Sequence, residues 1–269
     1  MKAASGVENN LVRLLDLVCK LRSPEGCRWD REQTKEDIAR YLLEEACEVI
    51  DAIENGSAAG LREELGDLLF HIVFLSRMAE ERGEFDFAGV MAGIEEKMIR
   101  RHPHVFGDRQ VGSVAEIREN WDSIKKNEGK GASTYRERFQ GITRTLPALV
   151  RAQKITKEAA KAGFDWGRTE DVLKKVDEEL EELKAAMKTR RSDLVREEMG
   201  DLLFSLVNLC RFLEVDAEAS LRGAMNKFVR RFSHIEESLL KEGKRPDDAT
   251  LSEMDILWEK AKFLQLKKD

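Results

Sequence analysis

Glutamates at positions 44, 45 and 48 are followed closely by Glu64 and Asp67. On helices, Glu44 and Glu48 stand at i, i+4, while Glu45–Glu48 and Glu64–Asp67 stand at i, i+3, so each group puts its carboxylates on one side. The short stretch from Ala52 to Gly60, which contains Asn55-Gly56-Ser57, predicts an antiparallel helix hairpin, because short connections join neighbours. The two groups then face one another and four or five carboxylates converge. An acidic run is ordinarily a solvated helix face. Here the run Leu68-Leu69-Phe70-His71-Ile72-Val73-Phe74-Leu75 follows Asp67 directly, so this helix is expected in a core. Two carboxylates 4 Å apart repel by about 4 kcal/mol at an effective dielectric near 20. A cation relieves that, and an all-oxygen donor set suits Mg2+, with Mn2+ as a substitute, better than zinc.

The pattern occurs twice. Glu44-Glu45-Ala46-Cys47-Glu48 returns 134 residues later as Glu178-Glu179-Leu180-Glu181-Glu182, and Glu64-Leu65-Gly66-Asp67 returns at the same offset as Glu198-Met199-Gly200-Asp201. Leu11-Val12-Arg13 pairs with Leu149-Val150-Arg151 across a slightly different offset. The chain is therefore a tandem duplication. Its halves differ in detail: Asp51 corresponds to Ala185, so the two sites are not expected to be equal, and their division of labour stays open.

Cations recur in step with the acids. Lys97, Arg100 and Arg101 match Lys227, Arg230 and Arg231, while Trp121 and Lys125 match Trp258 and Lys262. Alone, such a cluster is a common surface feature. Beside a divalent cation it fits a polyphosphate chain, whose charge the ion and the Arg/Lys groups neutralise while orienting the reacting phosphorus. Each tryptophan is available for stacking or for packing.

The elements that must position these residues read as helices almost throughout. They are expected at about 7–22, 35–54, 58–82, 86–101, 114–126, 147–162, 169–189, 191–213, 215–242 and 250–266. Strand signals are missing. The polar, glycine-bearing segment from Asn127 to Thr134 marks a linker, which gives an N-terminal domain over 1–126, a linker over 127–140 and a C-terminal domain over 141–269. The fold class is all-α, with two tandem helical-bundle domains.

Composition bounds the partners. The chain has 269 residues, 36% charged and 42% hydrophobic, with a net charge of −6 and a mean hydropathy of −0.48. No apolar stretch approaches the ~20 residues of a membrane span, and no basic stripe marks a general nucleic-acid binder. Met1 to Asn10 carry no apolar signal segment, and the four cysteines include no CxxC pair. A reduced, cytoplasmic setting is expected. No GxxxxGK[ST], GxGxxG or HExxH run is present, so P-loop, dinucleotide and zincin sites are not indicated. His71, in an apolar run, reads as a satisfied core residue, and Cys47 as packing.

With both carboxylate blocks and their spacing in view, the chain resembles the MazG family of nucleoside triphosphate pyrophosphohydrolases, within the all-α NTP pyrophosphatase superfamily. The EExxE and ExxD signature stands as Glu44-Glu45-Glu48 with Glu64-Asp67, and again as Glu178-Glu179-Glu182 with Glu198-Asp201. Gly26-Cys27-Arg28-Trp29-Asp30, Arg101-His102-Pro103-His104-Val105-Phe106 and Leu146-Pro147-Ala148-Leu149 also resemble the two-domain bacterial members. The resemblance implies magnesium-dependent conversion of NTP or dNTP and water to NMP or dNMP and pyrophosphate, with broad specificity in a house-cleaning role. It implies that the acidic residues hold the metal. It assigns Lys227, Arg231, Trp258 and Lys262 to the nucleotide, with Lys97, Arg101, Trp121 and Lys125 as first-repeat equivalents. A homodimer or higher assembly is implied too. Water would attack the α-phosphorus in line, and Glu45 and Glu179 are the candidates to take its proton. A related phosphoribosyl-ATP or dUTP pyrophosphatase, or a helical protein that senses nucleotide and metal without turnover, are the competing readings.

Overall fold

A computed structural model describes residues 2–125, 128 and 134–265. Among these the secondary structure is helical, with no strand. The chain divides into two compact units, 1–125 and 126–269. Residues 127 and 129–133 of the stretch expected as a linker lie outside the described residues, but Thr134 caps a short helix at Tyr135–Gln140, and that helix packs on the first long helix of the second unit.

The first unit contains α1 (Lys2–Arg22), α2 (Arg28–Glu32), α3 (Lys35–Glu54), α4 (Ala58–Glu80), α5 (Phe87–Arg101), α6 (Pro103–Phe106) and α7 (Val114–Lys125). α3 and α4 form the expected hairpin. A capping box starts α3, in which the Thr34 hydroxyl accepts from the Asp37 backbone N–H while the Asp37 carboxylate accepts from that of Thr34. The turn after it runs through Gly56, whose φ of +66° strains any other side chain. Ser57 then caps α4. α1 lies across α4, and Val18, Ile38, Val73, Phe74 and Met78 are buried together. Gly26 lets the chain leave α1 tightly, since a Cβ there would stand 2.1 Å from the Lys20 carbonyl oxygen.

The second unit repeats the plan: α8 (Tyr135–Gln140), α9 (Ala148–Lys161), α10 (Thr169–Thr189), α11 (Ser192–Phe212), α12 (Ala217–Lys241), a 3-10 turn at Pro246–Asp248, and α13 (Leu251–Gln265). α10 and α11 pair as α3 and α4 do, and α9 crosses α11. The turn between α10 and α11 places Arg190 at φ 59°. Ile235, Leu239 and Leu257 close the far end against Trp258. Expected helix boundaries agree with the observed ones to within a few residues, apart from α1, which begins at Lys2. The short α2, α6 and α8 were not expected, because helices this brief carry too little apolar periodicity to stand out.

Candidate active site

The paired hairpins bring three carboxylates together in each unit. Carboxylate oxygens of Glu45, Glu48 and Glu64 lie within 4.8 Å of one another, and so do those of Glu179, Glu182 and Glu198. The helix period explains the selection. Glu45 and Glu48, three residues apart, turn towards the partner helix, whereas Glu44 and Glu178 sit on the exposed flank. Glu178 is held there by Lys175 at 2.7 Å. Asp67 and Asp201 stand outside the triads but close enough to act on Glu64 and Glu198 electrostatically. The expected convergence of four or five carboxylates is therefore a tight group of three with an aspartate beside it.

Desolvation raises the Glu64 carboxyl above its ordinary pKa, reinforced by the hydrogen-bonded Glu48 carboxylate and by the charges of Glu63 and Asp67. Glu198 is raised in the same way, first by desolvation and then by Glu182, Asp201, Glu179 and Glu197. Three carboxylate oxygens gathered this closely are a donor set suited to a hard divalent cation, which relieves their mutual repulsion.

The surroundings of the two triads differ. In the first unit, Glu45 faces His71, with Oε1 3.6 Å from Nε2. The His71 ring stacks on Tyr41 at 5.5 Å, and its buried Nδ1 has no partner among the described residues, so the expectation of a satisfied core histidine fails at that atom. Cys47 is exposed; its reading as packing fails as well, because it lies on the outward face of α3.

In the second unit, Glu179 is 6% exposed and lies 2.7 Å from Lys175 Nζ. Shared between Glu178 and Glu179, that ammonium is pushed well above the ordinary lysine range. Beside this pair opens a cavity of about 390 Å3, walled by Phe139, Phe164, Trp166 and Phe204, with Thr156, Ser205 and Asn208 among its polar residues. At the 134-residue offset, Lys175 corresponds to Tyr41, Ser205 to His71 and Asn208 to Phe74. Phe74 is 1% exposed and belongs to the first unit's core. A position that lines the cavity in the second repeat thus carries a core side chain in the first.

The basic residues lie on other helix pairs. In the first unit the Arg101 guanidinium stands over the Trp121 ring at 5.3 Å, and His102 packs edge-on against that ring at 4.9 Å. In the second, Arg231 stands over Trp258 at 5.4 Å, flanked by Phe228. Cation–π contact of this kind fixes the guanidinium. Lys262 pairs with Glu259. Arg100, Lys125, Lys227 and Arg230 are exposed and Lys97 is half-buried. Both tryptophans therefore pack against an arginine. Lys175, Asn208, Arg211 and Asp165 escaped the sequence reading. The signals were a lysine one turn before Glu179 and an asparagine standing where the first repeat has phenylalanine.

Comparison with known proteins agrees with this plan. The MazG nucleotide pyrophosphohydrolase domain matches residues 33–106 and again 168–236, spanning both carboxylate hairpins. The nucleoside triphosphate pyrophosphohydrolase/pyrophosphatase MazG of Thermotoga maritima is 45% identical over 97% of this chain and 98% of its own length. The nucleoside triphosphate pyrophosphohydrolase of Escherichia coli K12 is 44% identical over 94% and 97%. A crystal structure of a MazG-related protein from Thermotoga maritima aligns with 42% of this chain and 97% of that one, at 28% identity and a TM-score of 0.37. With a domain match in each half and near full-length likeness to both relatives, the chain belongs to the MazG family.

Proposed function

We propose that the chain is a nucleoside triphosphate pyrophosphohydrolase that uses a divalent cation, magnesium with manganese as substitute, and acts chiefly through its second repeat. The observation that carries this is the Glu179–Glu182–Glu198 group opening onto an aromatic-walled cavity, which joins a cation site to a space fit for a nucleobase. Glu179, Glu182 and Glu198 would hold the ion, with Asp201 beside them. When bound, the ion neutralises phosphate charge and polarises a phosphoryl oxygen.

The chain's own residues supply the rest. Glu179, fixed by Lys175, takes the proton of the attacking water, whose oxygen bonds to the α-phosphorus as the α–β anhydride bond breaks. Pyrophosphate leaves with its charge matched by Lys227, Arg230, Arg231 and Lys262, and Trp258 holds Arg231 in place. The first repeat, with Lys97, Arg100, Arg101, Trp121 and Lys125 on its basic face, keeps the carboxylates but fills the cavity, which favours cation binding there without rapid turnover. Use of both ribo- and deoxyribonucleoside triphosphates and a cytoplasmic setting complete the reading; all four cysteines are free, and no described helix is long and apolar enough to cross a membrane.

A homodimer is part of the proposal. Leu65, Leu69 and Ile72 on α4 and their counterparts Met199, Leu203 and Leu206 on α11 are exposed stripes on the carboxylate hairpins, the kind of face a second copy buries.

The test is pyrophosphate release with and without Mg2+, using Glu45→Gln and Glu179→Gln separately. Glu179→Gln should lose at least about a hundredfold in rate while keeping its helical circular dichroism, and Glu45→Gln should stay within a few fold of the parent. Equal losses in both would overturn the assignment to the second repeat.

A further inference from the structure

The polar wall of the second repeat's cavity has a fixed polarity. Asp165 accepts from both terminal nitrogens of Arg211, at 2.6 and 3.0 Å, and Arg211 Nε donates to Asn208 Oδ1 at 2.9 Å. With its oxygen committed to that donor, the amide can point only its Nδ2 elsewhere, since the flipped form would set two donors against each other. Asn208 is 4% exposed, it lines the cavity, and its Nδ2 has no acceptor among the described residues. The Ser205 and Thr156 hydroxyls, which also line the cavity, donate into their own helices, to Leu202 and Gln153 carbonyls at 2.9 and 3.1 Å. They therefore offer the cavity lone pairs only. A donor and acceptors thus line the cavity together, from α11 and α9, along with the aromatic side chains of Phe164, Trp166 and Phe204.

We propose that Asn208 is the base-discriminating residue of this site, held in register by the Asp165–Arg211 pair, and that it selects bases carrying a ring carbonyl next to a ring N–H. Guanine, hypoxanthine, uracil and thymine share that edge: the carbonyl accepts from Asn208 Nδ2 and the N–H donates to Ser205 Oγ. Adenine and cytosine present an amino group next to a bare ring nitrogen, so they set donor against donor and lone pair against lone pair. A site built to hydrogen-bond one edge rejects the inverted edge because its buried groups are left unpaired. The first repeat, with Phe74 and His71 at these positions, has no such reader. The inference rests on the pyrophosphohydrolase reading and adds its substrate class.

ITP and ATP differ only at this edge, as UTP and CTP do in essence. The full-length protein should turn over ITP and UTP with kcat/KM at least about tenfold above ATP and CTP. Asn208→Asp keeps the acceptor for Arg211 and replaces the free donor with an acceptor, so the ITP:ATP ratio should fall at least tenfold. Asn208→Ala, which serves if the aspartate variant does not fold, should level the ratio. Equal turnover of ITP and ATP by the unaltered protein, or an unchanged ratio in a folded variant, overturns the inference while leaving the activity standing. Failure to release pyrophosphate from any nucleotide overturns the activity and the inference with it.

Discussion

Glu198 and Glu64 are carboxyls whose folded-state pKa stands above the ordinary value because burial and neighbouring carboxylates disfavour their charge. A carboxyl raised in this way costs the folded chain stability once ionised. The cost is complete above the folded-state pKa and fades as pH falls through it and below the unfolded value of 4.5. Removing the charge should therefore help the metal-free protein. In EDTA at pH 7, Glu198→Gln is expected to melt on the order of 2 °C above the parent, with the difference gone near pH 4. Added Mg2+ should raise the parent's Tm and leave the variant's nearly unmoved, as ligand linkage requires. Differential scanning fluorimetry reads both effects. A variant that melts below the parent in EDTA would show these carboxylates supporting the fold instead of straining it. At this scale helical spacing marked Glu44, Glu45, Glu48, Glu64 and Asp67 and their repeats together, but it did not show that the tight group would be Glu45, Glu48 and Glu64 with Glu44 turned outward. Lys175 was harder to see, because a lysine in a charged helix looks like any surface cation until the hairpin closes around Glu179.

The helices carry a different kind of information. α3 with α4 and α10 with α11 could be anticipated from the connection lengths and the acidic repeats, and the long elements follow from their apolar periodicity. The fate of each apolar run could not. Leu68 to Leu75 reads as apolar almost all round, yet α4 buries Val73 and Phe74 while Leu69 remains 39% exposed, because α1 covers only one side of it. Phe74 is the keystone of that covered side, packing on Phe70 with ring centroids 5.7 Å apart and lying under the Arg22 guanidinium at 5.1 Å. Phe74→Ala should cost about 3–5 kcal/mol, read as a lowered urea midpoint. A loss below about 1 kcal/mol would mean that neighbouring helices collapse into the gap. The short α8 has a sequence signature after all, the Thr134–Glu137 capping box, but its polar surroundings hide it inside what looks like a linker.

For the whole molecule, the exposed stripes matter most. Two hairpins each present leucines or methionine where a soluble surface would ordinarily be polar, and the proposed homodimer is tested there. Light scattering should give a mass near twice 30.8 kDa. Leu69→Glu combined with Leu203→Glu should shift it to that of a single chain, because burying a charge against an apolar partner is strongly unfavourable. A double variant that keeps the larger mass would place the interface elsewhere. This level was the least legible in the sequence: nothing in one chain distinguishes an apolar helix face that meets its own domain from one that waits for another molecule.

The divergence of the two repeats at Phe74 and Asn208 also bears on how tolerant the protein is of change. A cavity kept open by an asparagine is a place where larger, greasier residues are thermodynamically welcome. Copying the first repeat into the second through Asn208→Phe should therefore block the pocket and leave it idle towards nucleotide, while the packing gained is offset by the acceptor that Arg211 Nε loses. The open pocket in the second repeat and the buried Phe74 in the first thus set access against packing within one duplicated fold.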